Sequence, residues 1–312
     1  MPKLHHLRDF VAIANASSVR SAARSIGLAQ PVLTRSLQEL ERELGTSLFE
    51  RHSRGMTLTP SGQRFLLRAQ VALEEIRRGV EEAGQLEGNM QGSVSVALSG
   101  ALMLTLLPDV YLDFRRTCPE VSLRLVEGLF PAVESRLRDG RLDFYMGPRP
   151  ERALGSGYRV QLLFHNERLV LARKGHPLAR EKSLERLLEA EWIVVGLRER
   201  VEEEFEEQFV ALGMRNPRLK TIAESMLGLI SLLTTSDAIA LLPRQWADAK
   251  LFKDVVEPIR VREPLIGPDI VEVTRARLPL TPAAETFATL LRRVAAHQPR
   301  ASSANDQRAR RI

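Results

Sequence analysis

Residues 18–60 read SVRSAARSIGLAQPVLTRSLQELERELGTSLFERHSRGMTLTP. Ser17 or Ser18 can cap a short helix by accepting a backbone N–H bond. Ala22 and Ala23 are small enough to let a neighbouring helix approach, and Gly27 permits the left-handed backbone that ends the helix. Pro31 suits the first turn of a second helix, where its missing N–H costs nothing. Leu33, Leu37 and Leu40 give that helix a buried face. Upstream, Leu4, Leu7, Val11 and Ala14 recur at helical spacing beside Phe10, which predicts an amphipathic helix over residues 3–15.

The other face of the helix opened by Gln30-Pro31 is polar. In helix-turn-helix geometry the N-terminal end of the second helix lies nearest the base edges. That favours Gln30, Val32, Thr34 and Arg35 over Glu39 or Glu41, and Ser18, Pro31 and Gln38 complete the DNA-facing set. The amide and guanidinium groups can bond bases or phosphates, and the valine can meet a thymine methyl. Downstream, residues 48–59 predict a two-stranded wing with Arg51 and Arg54 placed to hold phosphates. The competing reading is a plain helical hairpin with a wet face.

From Pro60-Ser61-Gly62 a helix is expected to run to about Glu87. Leu66, Ala69, Leu73, Ile76, Val80 and Ala83 follow the 3-4 alternation of a coiled-coil seam, among mostly Arg, Glu and Gln. The stretch 61–87 would span about 40 Å. The alternative is a helix packed on its own domain; the near-strict heptad favours a two-chain stalk.

Charge is distributed to match. The chain has 312 residues and a net charge of +6. Residues 1–68 hold ten basic and five acidic side chains, and residues 292–312 hold six and one. A basic head fits phosphate contact. The tail RASSANDQRARRI, with few large apolar residues, is expected to be disordered. No run of about 18 apolar residues suggests a membrane span, and MPKLHHLRDF lacks the apolar core of an export signal, so a cytoplasmic location is expected. One cysteine, Cys118, excludes an internal disulfide and is read as a small packed residue.

The stretch AARSIGLAQPVLTRSLQELERELGTSLFERHSRGMTLTPSG, with the following helix and two-lobed remainder, resembles the LysR-type transcriptional regulators over residues 3–297. The resemblance implies an α/β architecture: an N-terminal winged helix-turn-helix (1–60), a long coiled-coil linker helix (61–88), and a two-lobed periplasmic-binding-protein-like α/β effector domain (89–298). Lobe I would take 92–165 and 267–298, lobe II 166–266, and 299–312 the tail. The family often has Ser at the place of Ala29 and Gln at that of Ser36, and both positions are expected on or near the DNA-facing surface.

In the remainder, Ser93–Leu98, Val121–Glu127 and Leu142–Met146 read as strands separated by helices, the first helix running from Ser99-Gly100 through Phe114. Arg168–Ala172, Trp192–Val195, Lys220–Ala223 and Ala238–Leu242 read as strands of a second lobe, before a return near Ile270–Thr274. Alternation of this kind builds an open α/β sheet. Such sheets bind ligands beyond the carboxyl ends of strands. Ser99 and Gly100, then Gly128, Leu129 and Phe130, then Gly196 and Leu197, then Ser225 and Met226 occupy those places; each could equally be a simple turn or cap. In the family they converge on an interlobe cleft. The segments ESMLGLISLLTTSDAIALLPRQW and RARLPLTPAAETF resemble the branch regulating sugar-uptake and aromatic-sulfonate genes, which points to a small effector, an anion being one option; Arg198 and Arg200 could neutralise it, but surface arginines are the safer reading.

The function implied is a sequence-specific DNA-binding regulator that senses an unidentified small-molecule effector, with no cofactor and no catalytic or metal site. Expected partners are promoter DNA and further copies in a homodimer or homotetramer, with RNA polymerase a possible contact and no membrane. A solute-binding module without regulation is the second reading; the absent export signal and the intact head argue against it. An enzyme would need a motif such as GxSxG, a P-loop or HExxH, and none is present. His176-Pro177 resembles a turn common in the family.

Overall fold

The protein is described here by a computed structural model covering residues 1–16, 18–52, 55–196 and 198–298. It forms two compact units, Met1–Gly92 with Ser135–Leu142, and Ser93–Glu134 with Asp143–Ile312.

In the first unit, α1 (Leu4–Ala14), α2 (Val19–Ser25) and α3 (Gln30–Leu44) precede a hairpin of β1 (Phe49–His52) and β2 (Gly55–Leu58). Ser18 caps α2 by accepting from Ser21 N at 3.1 Å, and Ser17 lies outside the described residues. Gly27 adopts φ +69° after α2 and Gly45 φ +67° after α3, the left-handed backbone that glycine tolerates. Phe10, Leu33, Leu37, Leu40 and Leu48 are buried together with Ala22 and Ala23. The Phe10 ring stands 5.6 Å from Phe49 and 5.4 Å from Phe65. Glu41 ties α3 to the wing by accepting from Leu48 N at 2.7 Å and Phe49 N at 3.3 Å.

The long helix α4 (Pro60–Leu86) starts on the Thr59 hydroxyl, which accepts from Gly62 N at 2.9 Å. Two of its seam positions differ from expectation. Ala69 is buried in the head core and Leu66 packs against it, so the first turns of the heptad serve their own domain. Further along, Ile76 and Val80 stay exposed, Val80 at 68%. The polar residues are not all solvated either: Arg78 is buried and donates to Gly140 O, and Gln85 is buried and donates to Gln91 O at 2.7 Å. Arg77 pairs with Glu74 and Glu81 one turn away on either side. Burial alone would raise the Glu74 carboxyl, but Arg77 and Arg78 more than offset it and hold it below the ordinary range.

The second unit carries two five-stranded sheets. Chain order is β3 (Gly92–Leu98), α5 (Gly100–Thr105), α6 (Leu107–Thr117), β4 (Val121–Glu127), α7 (Phe130–Arg138), β5 (Phe144–Pro148), β6 (Tyr158–Phe164), β7 (Arg168–Arg173), β8 (Trp192–Val195), α8 (Arg198–Val210), β9 (Leu219–Ala223), α9 (Met226–Thr235), β10 (Ile239–Pro243), α10 (Gln245–Asp248), β11 (Val256–Ile259), β12 (Ile270–Arg275) and α11 (Pro282–Ala295). The sheets are ordered β4-β3-β5-β12-β6 and β11-β7-β10-β8-β9. β3 and β5 are parallel, as are β8, β9 and β10, whereas β12 runs antiparallel to β5 and β6. The chain passes between sheets twice, and the two crossings meet in an antiparallel bridge between Glu167 and Ile266.

Three expectations shift. The helix after Ser99 breaks at Leu106, because Pro108 has no N–H to return to Leu104 O. The strand expected at Leu142–Met146 runs from Phe144 to Pro148. β6 and β11 carry no clear sequence signal: alternation in YRVQLLF breaks at Leu162-Leu163, and VEPI is four residues long with an internal proline. α11 is anchored by Arg292, which grips the buried Glu272 of β12 with bonds of 2.6 and 3.0 Å. Cys118 is fully buried after α6, and that burial pushes its thiol up, away from the reactive thiolate.

A Cβ added at Gly62 would stand 2.0 Å from Leu48 O, a backbone atom of the wing junction that cannot swing aside. Gly62→Ala is therefore expected to cost about 1–3 kcal/mol, the usual range for overpacking. Urea unfolding of the head checks this, and an unchanged midpoint would show that the junction yields freely.

Candidate DNA interface and effector cleft

Along α3 the buried and exposed residues separate as the 3.6-residue period requires. Leu33, Leu37 and Leu40 face the core, while Gln30, Pro31, Val32, Arg35 and Gln38 are exposed and Thr34 is half-buried. Val32 is 53% exposed, an apolar side chain held in water among polar ones. The Thr34 hydroxyl donates to Gln30 O at 2.9 Å, so its donor is spent on the helix and its methyl and lone pairs remain. Ser18 also has its oxygen engaged, as the cap of α2.

Ser36 corrects an expectation. It is buried and donates to the equally buried Asp9 at 2.6 Å, locking α3 to α1. It therefore cannot tune base preference directly; Ala29, by contrast, is exposed. Arg51 lies on β1, opposite Met56, but its side chain and the whole of Arg54 fall outside the described residues.

In the second unit, Ser99 follows β3 and precedes α5. Its hydroxyl is buried, the residue being 5% exposed, and has no hydrogen-bond partner among the described residues. It stands at the N-cap position without making the cap bond. Its counterpart in the other sheet, Ser225, does make it, accepting from Gly228 N at 3.1 Å. Gly100 is the meeting point of the two halves: a Cβ there would lie 2.7 Å from Met226 Cε and 2.9 Å from Glu127 Oε1. Behind it, a Cβ at Gly147 would lie 3.1 Å from Ser99 Cβ. Ala101 joins the core cluster of the other sheet beside Leu229 and Trp246, with Leu104 packed against it. Ser99, Gly100 and Met226 are thus brought together.

The other expected cleft residues divide. Gly128 donates its N–H to Leu98 O at 3.1 Å and Gly196 donates to Ala223 O at 3.0 Å, so both are partly committed to strand-end bonding. Leu129 is 50% exposed. Phe130 is a correction: its ring is buried against Tyr145 at 5.4 Å and Tyr158 at 5.7 Å and cannot present itself to a ligand. Leu197 and the side chains of Arg198 and Arg200 lie outside the described residues. Glu127, whose carboxylate stands over Gly100, is a neighbour of these residues that sequence reasoning misses. Period-two alternation places it on one face with Val121, Leu123 and Leu125, and a carboxylate where an apolar residue is due is its only sequence signal. His176 is structural: Nδ1 accepts from Leu178 N at 3.0 Å, leaving Nε2 to donate to Asp237 O at 2.9 Å.

Two family models match the chain. Residues 4–63 match the bacterial regulatory helix-turn-helix of the lysR family, and residues 87–296 match the LysR substrate binding domain. The chain belongs to the LysR family of transcriptional regulators. It is 28% identical over 248 residues to the regulator GbpR of Azospirillum brasilense, covering 78% of this chain and 72% of that one. The matched span is 62% of the length of YdcI from Escherichia coli strain K12, a little under two thirds. Among solved structures, a cysteine-to-aspartate variant of full-length OxyR from Pseudomonas aeruginosa superposes with a TM-score of 0.70 at 24% identity, covering 96% and 98% of the two chains. The LysR-family regulator CbnR in complex with its target DNA gives 0.67 at 22% identity, covering 94% and 99%. These likenesses show the LysR fold along nearly the whole chain.

For this LysR-family head, Arg35→Ala should weaken operator binding by about 1–3 kcal/mol if the guanidinium reads a base, or reduce the salt slope by about one if it holds a phosphate. Ser36→Ala should instead lower head stability by about 1–3 kcal/mol, through loss of the donor to buried Asp9. Fluorescence anisotropy across a salt series, run beside thermal melts, separates the two, and equal loss of DNA binding in both variants would contradict the assignment of faces.

Proposed function

We propose that this LysR-family regulator binds a dyad-symmetric promoter site through α3 and adjusts that binding to a small effector held near Ser99, Gly100 and Met226. The observation that carries the first half is the face of α3: Gln30, Val32, Arg35 and Gln38 exposed together on a helix whose other face is fully committed to the core. Supporting it, CbnR, a structural neighbour, has been crystallised with its target DNA. Ser18, Pro31 and Thr34 flank the reading surface, with Arg51 and Arg54 of the wing on phosphates. Leu129, Ser225 and the backbone at Gly128, Phe130, Gly196 and Leu197 complete the effector site.

Two copies present two heads to two half-sites. The exposed positions Ile76 and Val80 of α4 are the part of the heptad left for a partner helix, and a homodimer or homotetramer is the assembly proposed. The working location is the cytoplasm, with RNA polymerase as the downstream contact. Among the described residues no helix is long and apolar enough to cross a membrane, and no group of three or more His, Cys, Asp or Glu could hold a metal. The role proposed is regulation and not turnover.

Sheared genomic DNA captured by the full chain at physiological salt and then sequenced tests the reading. Enrichment of a few sites sharing a dyad is the expected result; diffuse, salt-sensitive recovery would leave only electrostatic attraction and overturn it. Val80→Asp should shift the mass seen by light scattering to that of a single chain, and an unchanged mass would remove the α4 seam from the assembly. Ser99→Ala should change the effector response of DNA binding while leaving effector-free DNA affinity within about twofold, a shift of about 0.4 kcal/mol.

A further inference from the structure

The position of Glu127 restricts what the cleft can accept. Its carboxylate oxygen stands over Gly100, 2.9 Å from where a Cβ would be, and Met226 Cε from the other sheet stands 2.7 Å from the same point. Glu127 is an exposed residue, and among the described residues it has neither an ion pair nor a hydrogen bond. One residue away from Gly100, the Ser99 hydroxyl is buried and also without a partner. A buried hydroxyl is rarely left unsatisfied, and the explanation is commonly a ligand, ion or water. Glycine at 100 lets Glu127 and Met226 come this close to the backbone, and glycine at 147 admits the Tyr145 hydroxyl, 2.3 Å from where a Cβ would be, beside Ser99.

A carboxylate is an acceptor only, and it repels like charge at close range. A ligand carboxylate, sulfonate or phosphate seated at Ser99 would have to approach Glu127 directly. A hydroxyl or an ammonium would donate to it, while Ser99 donates to or accepts from a neighbouring hydroxyl. Met226 and the half-exposed Leu129 offer apolar surface to the ligand's carbon face. We infer that the effector presents a hydrogen-bond donor, a hydroxyl or an ammonium group, to Glu127 and carries no net negative charge. This rests on the cleft reading proposed above, and it decides against the anionic option left open by the family resemblance.

The test uses the full chain in a thermal-shift and calorimetric panel. Neutral polyols (D-glucose, myo-inositol, glycerol) and ammonium compounds (L-serine, ethanolamine) are set against anions of similar size (D-gluconate, benzoate, benzenesulfonate). The expected result is stabilisation by members of the first two classes and not by the third. Which of the two responds identifies the donor as hydroxyl or ammonium. Stabilisation by anions alone, or by no donor-bearing compound, overturns the inference.

Two variants then separate this inference from the cleft reading beneath it. Glu127→Gln keeps the shape and removes the charge; it should weaken the responding compound roughly tenfold or more, as loss of a charge-assisted bond does. Gly100→Val would push aside the flexible ends of Met226 and Glu127, so the fold should tolerate it while binding is lost. Binding that survives Gly100→Val places the site elsewhere and removes the cleft reading. Binding lost in Gly100→Val but unchanged in Glu127→Gln leaves the cleft and removes the role of Glu127.

Discussion

The first turn of α4 rests on the backbone of the wing with no side chain between them. Gly62 meets Leu48 O so closely that any Cβ would overlap it, Thr59 N donates to the same carbonyl at 3.0 Å, and the Thr59 hydroxyl donates to Ser47 O at 2.8 Å. Glu41 completes the joint from the other side by taking the N–H groups of Leu48 and Phe49. Polar bonds and a steric stop together fix the direction in which a 27-residue helix leaves the head. A helix that long magnifies small errors at its base: one degree of play moves its far end by roughly 0.7 Å over about 40 Å. Heads carried by such helices can be set to half-sites about 34 Å apart only if the joint is stiff. Burial of Ala69 in the head core, with Leu66 packed against it, serves the same end, taking the first heptad turns out of any seam between chains to brace the joint.

Legibility differs between the two units, for physical reasons. The head depends on local signals: a cap at Ser18, a left-handed glycine at 27, a proline in the first turn at 31, and leucines at helical spacing. Each acts over three or four residues, so α1, α2 and α3 can be read with near-correct ends. Ser36 is the exception. Its burial depends on Asp9, 27 residues earlier, and a serine on a polar helix carries no mark of a distant partner. Arg78 is the same case on α4, drawn inward by a backbone carbonyl at Gly140.

The sheets are long-range objects, and there periodicity reaches only part of the way. The buried parallel strand β8 reads as an apolar run, and β3 as valines alternating with small residues. β6 and β11 lie at sheet edges, where one side of the strand is wet and the pattern loosens. The cleft residues follow from a rule, their place after strand ends, and that rule cannot distinguish an occupied cap from an idle one. Ser99 and Ser225 look alike in sequence, yet only the second spends its oxygen on its own helix. Phe130 obeys the same positional rule and turns its ring into the core. Glu127 disobeys it, by being the last residue of a strand when the rule looks one residue further.

That contrast between the two serines bears on how a ligand could act from this site. A buried hydroxyl without a partner costs about 1–3 kcal/mol in desolvation. A compound that satisfies it in one arrangement of the two sheets and not in another recovers that amount in the first arrangement alone. Differential affinity of this size is what moves a conformational equilibrium, since a ligand bound equally well in both states moves nothing. The range matches ordinary allosteric coupling, about 1–3 kcal/mol or 5- to 150-fold. Ser225 offers no such reserve, because its cap bond is already made. Met226 reaches toward Gly100 from the other sheet. Under the proposed reading, discrimination between states therefore originates at Ser99 and Glu127, and the residues across the cleft supply the surface against which the ligand is held.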